Sequence, residues 1–192
     1  MMRGMLAVLT MVLAIPAKAE PITERAARSQ LFSPRGSSVE VFPADFLGPV
    51  EIKALEGYAA EFDYYAAFAV SPGDPAENGS AVGLANYHSE NAARNAALGA
   101  CNARRKTGRP CIIVAVTRPR GWKPRGFQLS VGATTGFRTE YRKLKAPKAM
   151  AISPKTGAWA VGRGDGGRVL ASCNRRAADK GSQDCRIAIV DK

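Results

Sequence analysis

Among its 192 residues the chain has one histidine, His88, and four cysteines, Cys101, Cys111, Cys173 and Cys185. A lone imidazole with no Gly-x-Ser-x-Gly elbow beside it gives no recognisable serine-hydrolase signature, and its place just before Ser89 suits a surface or capping residue. No cysteine pair has Cys-x-x-Cys spacing, which excludes a thioredoxin-type dithiol. If the four thiols form disulfides, one histidine and scattered carboxylates remain, so no zinc site or other metal is expected. The Gly162 to Gly167 run lacks the Gly-Lys-Ser/Thr of a phosphate loop and the full dinucleotide spacing; it reads as a flexible turn, and its Arg163-Gly164-Asp165 tripeptide is too short to signify. No cofactor is expected.

Acids are scarce as well, 16 against 28 lysines and arginines, and they form no acidic run. Glu51, Glu56, Glu61 and Asp63 offer the nearest thing to paired carboxylates for hydrolysis, and read better as solvated charges on a helix face. After residue 16 no apolar stretch approaches the roughly 20 residues that a membrane span needs.

What the chain does have begins at its start. Arg3, the apolar stretch Met5 to Pro16 and the Ala17-Lys18-Ala19 ending are the three parts of a cleavable secretory signal, residues 1–19. Cleavage after Ala19 leaves 173 residues and removes Arg3 and Lys18 but no acid, which takes the net charge from +12 to +10. The expected location is periplasmic or secreted, with no membrane span after cleavage. In that oxidising compartment an even number of cysteines implies two disulfides.

The chain then contains one unit twice. Ala69-Val70-Ser71-Pro72 answers Ala151-Ile152-Ser153-Pro154, and Ala81-Val82-Gly83 answers Ala160-Val161-Gly162. Cys101-Asn102 answers Cys173-Asn174, and Cys111 with its β-branched run answers Cys185 with its own. The offsets are 82, 79, 72 and 74, so the order holds while the second copy is trimmed in its first loop and at the start of its helix. Pairing within each copy, Cys101 with Cys111 and Cys173 with Cys185, fastens a helix to the following strand, a staple of about 2 to 3 kcal/mol in the chain-entropy model.

Each copy reads as ββαβ. Tyr64 to Val70 is an apolar strand closed by Ser-Pro, Ser80 to His88 a second strand, and Ala92 to Arg105 an alanine-rich helix behind a Ser89 cap; Cys111 to Thr117 is the third strand. The second copy gives Lys148 to Ile152, Ala158 to Arg163, a helix from Gly167 to Lys180, and Cys185 to Asp191. Further helices, Pro49 to Phe62 and Val131 to Leu144, lead into the copies, and Val39-Glu40-Val41 suits an edge strand in an otherwise irregular Glu20 to Gly48. The expected fold is α+β, two ββαβ repeats with a pseudo-twofold relation, their mainly antiparallel sheet covered by helices and each strand set ordered 2-1-3. The segments are 20–63 (N-terminal segment and first leading helix), 64–117 (first repeat), 118–146 (basic connector and second leading helix) and 147–192 (second repeat).

The blocks YYAAFAVSP, ANYHSENAARNAALGACNARRK, PCIIVAVTRPRGW and AMAISPKTGAWAVGRGDG resemble a family of small uncharacterised exported proteins of alphaproteobacteria, over most of the chain beyond residue 19. More distantly, the small-residue strand, alanine-rich helix and cysteine-bearing strand look like domain of unknown function 4189. The resemblance implies export and the repeat, and no activity. Some members of the closer group carry the automatic name 5-aminolevulinic acid synthase. Such a synthase needs a far longer chain with a pyridoxal-phosphate domain and a Schiff-base lysine, which have no counterpart here.

The functional hint with bulk behind it is the basic surface. Arg104, Arg105, Lys106 and Arg109 form one cluster; Arg118, Arg120, Lys123 and Arg125 form a second, interleaved with Trp122 and Phe127. Arg138, Arg142, Lys143, Lys145 and Lys148 form a third around Tyr141. The first two, with Trp122, are the candidate anion-binding residues. Such residues can face an anionic envelope component, act as a solvated face toward a protein partner, or bind nucleic acid, which is a rare partner inside an envelope. The expectation is an exported, non-enzymatic binding or interaction module; the alternative is a small periplasmic hydrolase or other enzyme with an unidentified site.

Overall fold

The computed structural model describes residues 20–74, 79–164 and 166–192; the signal segment 1–19 and Asp165 of the Gly162 to Gly167 turn lie outside them. The elements in chain order are α1 (Glu24–Gln30), β1 (Ser37–Val41), α2 (Pro49–Ala60), β2 (Ala66–Val70), β3 (Val82–Leu84), α3 (Glu90–Arg104) and β4 (Ile112–Pro119). Then follow α4 (Val131–Thr139), a 3-10 turn (Tyr141–Lys143), β5 (Lys148–Ile152), β6 (Trp159–Arg163), α5 (Gly167–Ala178) and β7 (Arg186–Asp191). The fold is α+β.

The strands make two separate antiparallel sheets among the described residues, ordered β1-β4-β2-β3 and β6-β5-β7. In each repeat the first strand lies between the other two, which is the 2-1-3 order. Both ladders slip by one residue at the same place in the repeat, between Phe68 and Ala69 in β2 and between Met150 and Ala151 in β5. The disulfides join Cys101 to Cys111 and Cys173 to Cys185, with Cα atoms 6.1 and 6.0 Å apart.

The pleat explains the layering, because alternate residues face opposite sides of a sheet. Ala67 and Ala69 turn toward α3 and meet Ala93, Ala97 and Cys101. Ala66 and Phe68 turn the other way, toward Ala59 of α2. In the second sheet Ala149 and Ala151 meet Val169 and Cys173 of α5, while Met150 and Ile152 pack with Ala133 and Phe137 of α4. Each sheet is thus sandwiched between a leading helix and its repeat helix. Alanine on both sides of the α3 contact lets helix and sheet approach closely.

Three expectations need correction. Glu20 to Gly48 is more regular than expected: Thr23 Oγ1 accepts from the Ala26 N–H and starts α1, whose Ala27 is buried in the second unit's core. Ile22 pairs in parallel with Ile189 beside β7, so the first described residues complete the sheet made by the last. The basic connector begins later than residue 118, because Arg118 and Pro119 are paired with Ser38 and Ser37 inside the first sheet. The second leading helix stops at Thr139, where the chain tightens into the 3-10 turn and buries Tyr141. No helix among the described residues is long and apolar enough to cross a membrane.

Candidate functional site

The two units meet along a seam built mainly from backbone. Asn86, at φ +64°, accepts from the Gly132 N–H through Oδ1 at 3.0 Å. Gly157, at φ +73°, lies against the Asn86 carbonyl so tightly that a Cβ there would overlap it. Behind them Gly136 lies flat against the Trp159 ring, again with no room for a side chain.

His88 is the centre of this seam and neither a surface nor a capping residue, being only 4% exposed. Nδ1 accepts from the Ser130 N–H at 3.1 Å, and Nε2 stands 3.1 Å from the Ala158 carbonyl. Since Nδ1 accepts, the proton sits on Nε2 and is donated to Ala158. Burial lowers the imidazole pKa to about 4.

Beside His88 a groove follows the seam around the first turns of α3, in three cavities that share lining residues. The middle one, about 180 Å³, is lined by His88, Ser89, Phe127, Gln128, Pro154 and Arg186. Pro154 continues it into a cavity of about 460 Å³ under Ala92, Asn95, Ala96 and Lys155. Ser89 and Gln128 continue it the other way into one of about 310 Å³ walled by Glu90, Asn91, Arg118, Trp122 and Arg125. Below that end Tyr65 is fully buried beside Trp122, and burial raises the pKa of its phenol.

The structure separates the first two basic clusters. Arg104, Arg105, Lys106 and Arg109 stand at the C-terminal end of α3, whereas Arg118, Trp122 and Arg125 stand at its N-terminal end. A 15-residue helix puts about 22 Å between them. Arg104, Lys106 and Arg109 are exposed, as are Arg120 and Lys123, while the Arg105 guanidinium is turned back to the Gly108 carbonyl.

Other members of the clusters are structural. Arg118 pairs with Glu40 and Glu90 and lies 4.7 Å over the Trp122 ring. Arg125 donates to the Gln30 carbonyl and stacks 3.7 Å from the Phe32 ring, which holds the N-terminal segment. Lys148 is buried, with Nζ 2.6 Å from Glu24 and 4.5 Å from the Tyr141 ring centroid, so the third cluster loses both Lys148 and Tyr141 from the surface. Lys155 and Arg186 of the groove were not singled out in the sequence. The signal was there for Lys155, which stands in the second copy where the first has Gly73.

The chemistry available is recognition. Both His88 nitrogens are engaged by backbone groups, which leaves no lone pair to take a proton from a substrate. Glu51, Glu56, Glu61 and Asp63 are exposed and line none of the three groove cavities. Among the described residues no three His, Cys, Asp or Glu side chains are grouped to hold a metal ion. Of the Gly162 to Gly167 run, Gly162 and Arg163 end β6, Gly166 is the N-cap of α5 and Gly167 its first residue. Comparison with protein-family models, curated proteins and solved structures found no match.

Proposed function

We propose that the chain is an exported binding module whose seam groove takes an anionic component of the cell envelope. The observation that carries this reading is the groove itself, an open trough with Lys155 and Arg186 toward one end and Trp122, Phe127 and amide side chains toward the other, where the Arg118 charge is already met by Glu40 and Glu90. Cations supply long-range attraction and aromatic faces supply contact area. Two disulfides in a chain with a signal-like start support the periplasmic or secreted location. Descent from a duplicated ββαβ unit, related by an approximate twofold, and kinship with the exported alphaproteobacterial family belong to the same proposal.

Retention on a sulfated polysaccharide matrix and on vesicles of anionic lipid tests the groove. Lys155→Gln is the informative change, because Lys155 makes no ion pair among the described residues and its removal leaves the seam intact. Retention at low salt is expected to weaken several-fold in this variant and to vanish for the parent protein at high salt, where screening shortens the reach of charge. Equal weakening by Arg104→Gln or Lys106→Gln would mean that charge acts as a whole and would refute the groove. Turnover of an ester or glycoside substrate abolished by a groove substitution would favour the hydrolase.

A further inference from the structure

We propose that His88 is a pH-sensitive bolt across the seam, so that the two units are locked together while the imidazole is neutral and part when it takes a proton. The consequence for ligand retention rests on the groove reading above; the bolt itself does not.

The bolt follows from where the two ring nitrogens end. His88 belongs to the first unit, at the corner between β3 and α3. Its partners do not: Ser130 is the N-cap of α4 and Ala158 precedes β6. One ring therefore joins three segments, and only one tautomer fits. A second proton converts Nδ1 from acceptor to donor and sets it against the Ser130 N–H, itself a donor with nowhere to turn inside a helix cap. The hydrogen bond is lost and two like dipoles face each other at a ring that is almost wholly buried.

The surroundings offer a cation little comfort. Lys180, beyond the end of α5, and Arg186 of β7 repel it, and Asp184 alone of the acids acting on it attracts it. On α3 the nearby Glu90 is committed to Arg94 and Arg118, and Arg125 of the connector is a further positive charge. The N-terminal ends of α3 and α4 both bring their positive poles to this corner. Burial makes the largest contribution and holds the pKa near 4, so the opened seam, where the ring regains an ordinary pKa, binds protons better.

The rest of the seam is suited to reversible parting. Its other ties include Asn86 to Gly132, the contact of Gly157 with Asn86, the Val131 N–H donating to the Tyr64 carbonyl, and the Tyr64 phenol beside Thr134; burial raises the phenol pKa above its ordinary value of 10, so it stays neutral from pH 7.5 to 5. Each disulfide lies within one unit and neither crosses the seam, so the units can separate with their own cores stapled.

Hydrogen exchange at the Ser130 amide, followed from pH 7.5 to 5 and corrected for intrinsic chemical exchange, reads the bolt directly. Opening linked to His88 should lower protection there about thirtyfold, while core amides of α3 keep theirs. Unchanged protection at Ser130 overturns the proposal. His88→Gln presents an acceptor and a donor without titrating, and should flatten the pH response; a response that persists in this variant also overturns it. Should that variant fail to fold, the wild-type imidazole resonances decide: a ring that stays neutral below pH 5 supports the bolt, and one that titrates near 6.5 in the folded protein refutes it. Retention on the sulfated matrix, which keeps its charge over this range, is measured alongside. A fall in protection with retention unchanged leaves the bolt standing and defeats the groove.

Discussion

Asn102 and Asn174 hold the same post in the two units: Oδ1 of each accepts from the backbone N–H of the cysteine opening the next strand, Cys111 at 3.1 Å and Cys185 at 3.0 Å. Each asparagine follows a helix cysteine bonded to that same partner, so the helix end is tied to the strand twice, by sulfur and by amide. Replacing either with alanine should cost about 1 to 2 kcal/mol, the usual effect of stranding a half-buried donor. The two losses should add, because the sites share no partner. Denaturant unfolding of both single variants and the double variant measures this; strong non-additivity would count against independent posts.

Gly157 and Gly181 make a controlled pair. Both have positive φ, +73° and +72°, but a side chain at Gly157 would overlap the Asn86 carbonyl while one at Gly181 meets nothing within 4 Å. Gly181→Ala should cost about 1 kcal/mol of backbone strain. Gly157→Ala should cost several times more, because backbone rather than a flexible side chain must move. Thermal unfolding of the two variants side by side gives the comparison.

Lys148→Met is expected to loosen the N-terminal segment before it affects the rest. Lys148 Nζ holds Glu24, and Glu24 starts the helix just after Thr23 and Ile22, the latter paired with Ile189 of β7. Methionine keeps much of the volume and leaves a partly exposed carboxylate without this partner, at a cost of about 1 to 2 kcal/mol. Limited proteolysis should cut between Glu20 and Arg35 sooner than in the parent protein. Unchanged cleavage would show that Arg142, 3.5 Å from the other carboxylate oxygen, suffices.

Acid should destabilise the fold in two windows. His88 has a folded pKa below its free value, so its contribution is complete above pH 6.5, declines as pH falls toward 4, and totals up to about 3 kcal/mol. Glu90 and Asp184 are buried enough for desolvation to raise them, yet hydrogen bonds from Arg118 and Arg94 in the first case, and from Ser153 and Ser182 in the second, hold both below the ordinary carboxylate range. Their contribution is present above about pH 4.5 and is lost only below it. A midpoint-against-pH series should therefore lose its first step, and keep its second, in His88→Gln.

The α+β order of elements was legible because its signals are local and occur twice: Ser-Pro after a strand, a cysteine-asparagine pair on a helix, a cysteine opening a strand. The disulfide pairing and the strand order followed from these signals, and β1 from a separate one, the alternating valines of an edge. What escaped depends on distant partners. His88 reads as a corner residue until Ser130 and Ala158, 42 and 70 residues away, close over it. Arg118 reads as a free cation until Glu40 arrives from a strand 78 residues earlier. α1 has a legible cap in Thr23, but only seven residues, and its reason to be helical lies on β7.

That last relationship bears on how the molecule comes into being. Ile22 donates to the Ala188 carbonyl and accepts from the Val190 N–H, so almost the whole length of polypeptide separates partners in one ladder. A chain is made from its first residue to its last, and the leading segment has nowhere to settle until β7 has been synthesised. The first unit can close on itself beforehand, but the second stays open-edged until the beginning of the chain returns to cover it. Assembly thus ends where synthesis began, and a shortened tail would be felt first at the head.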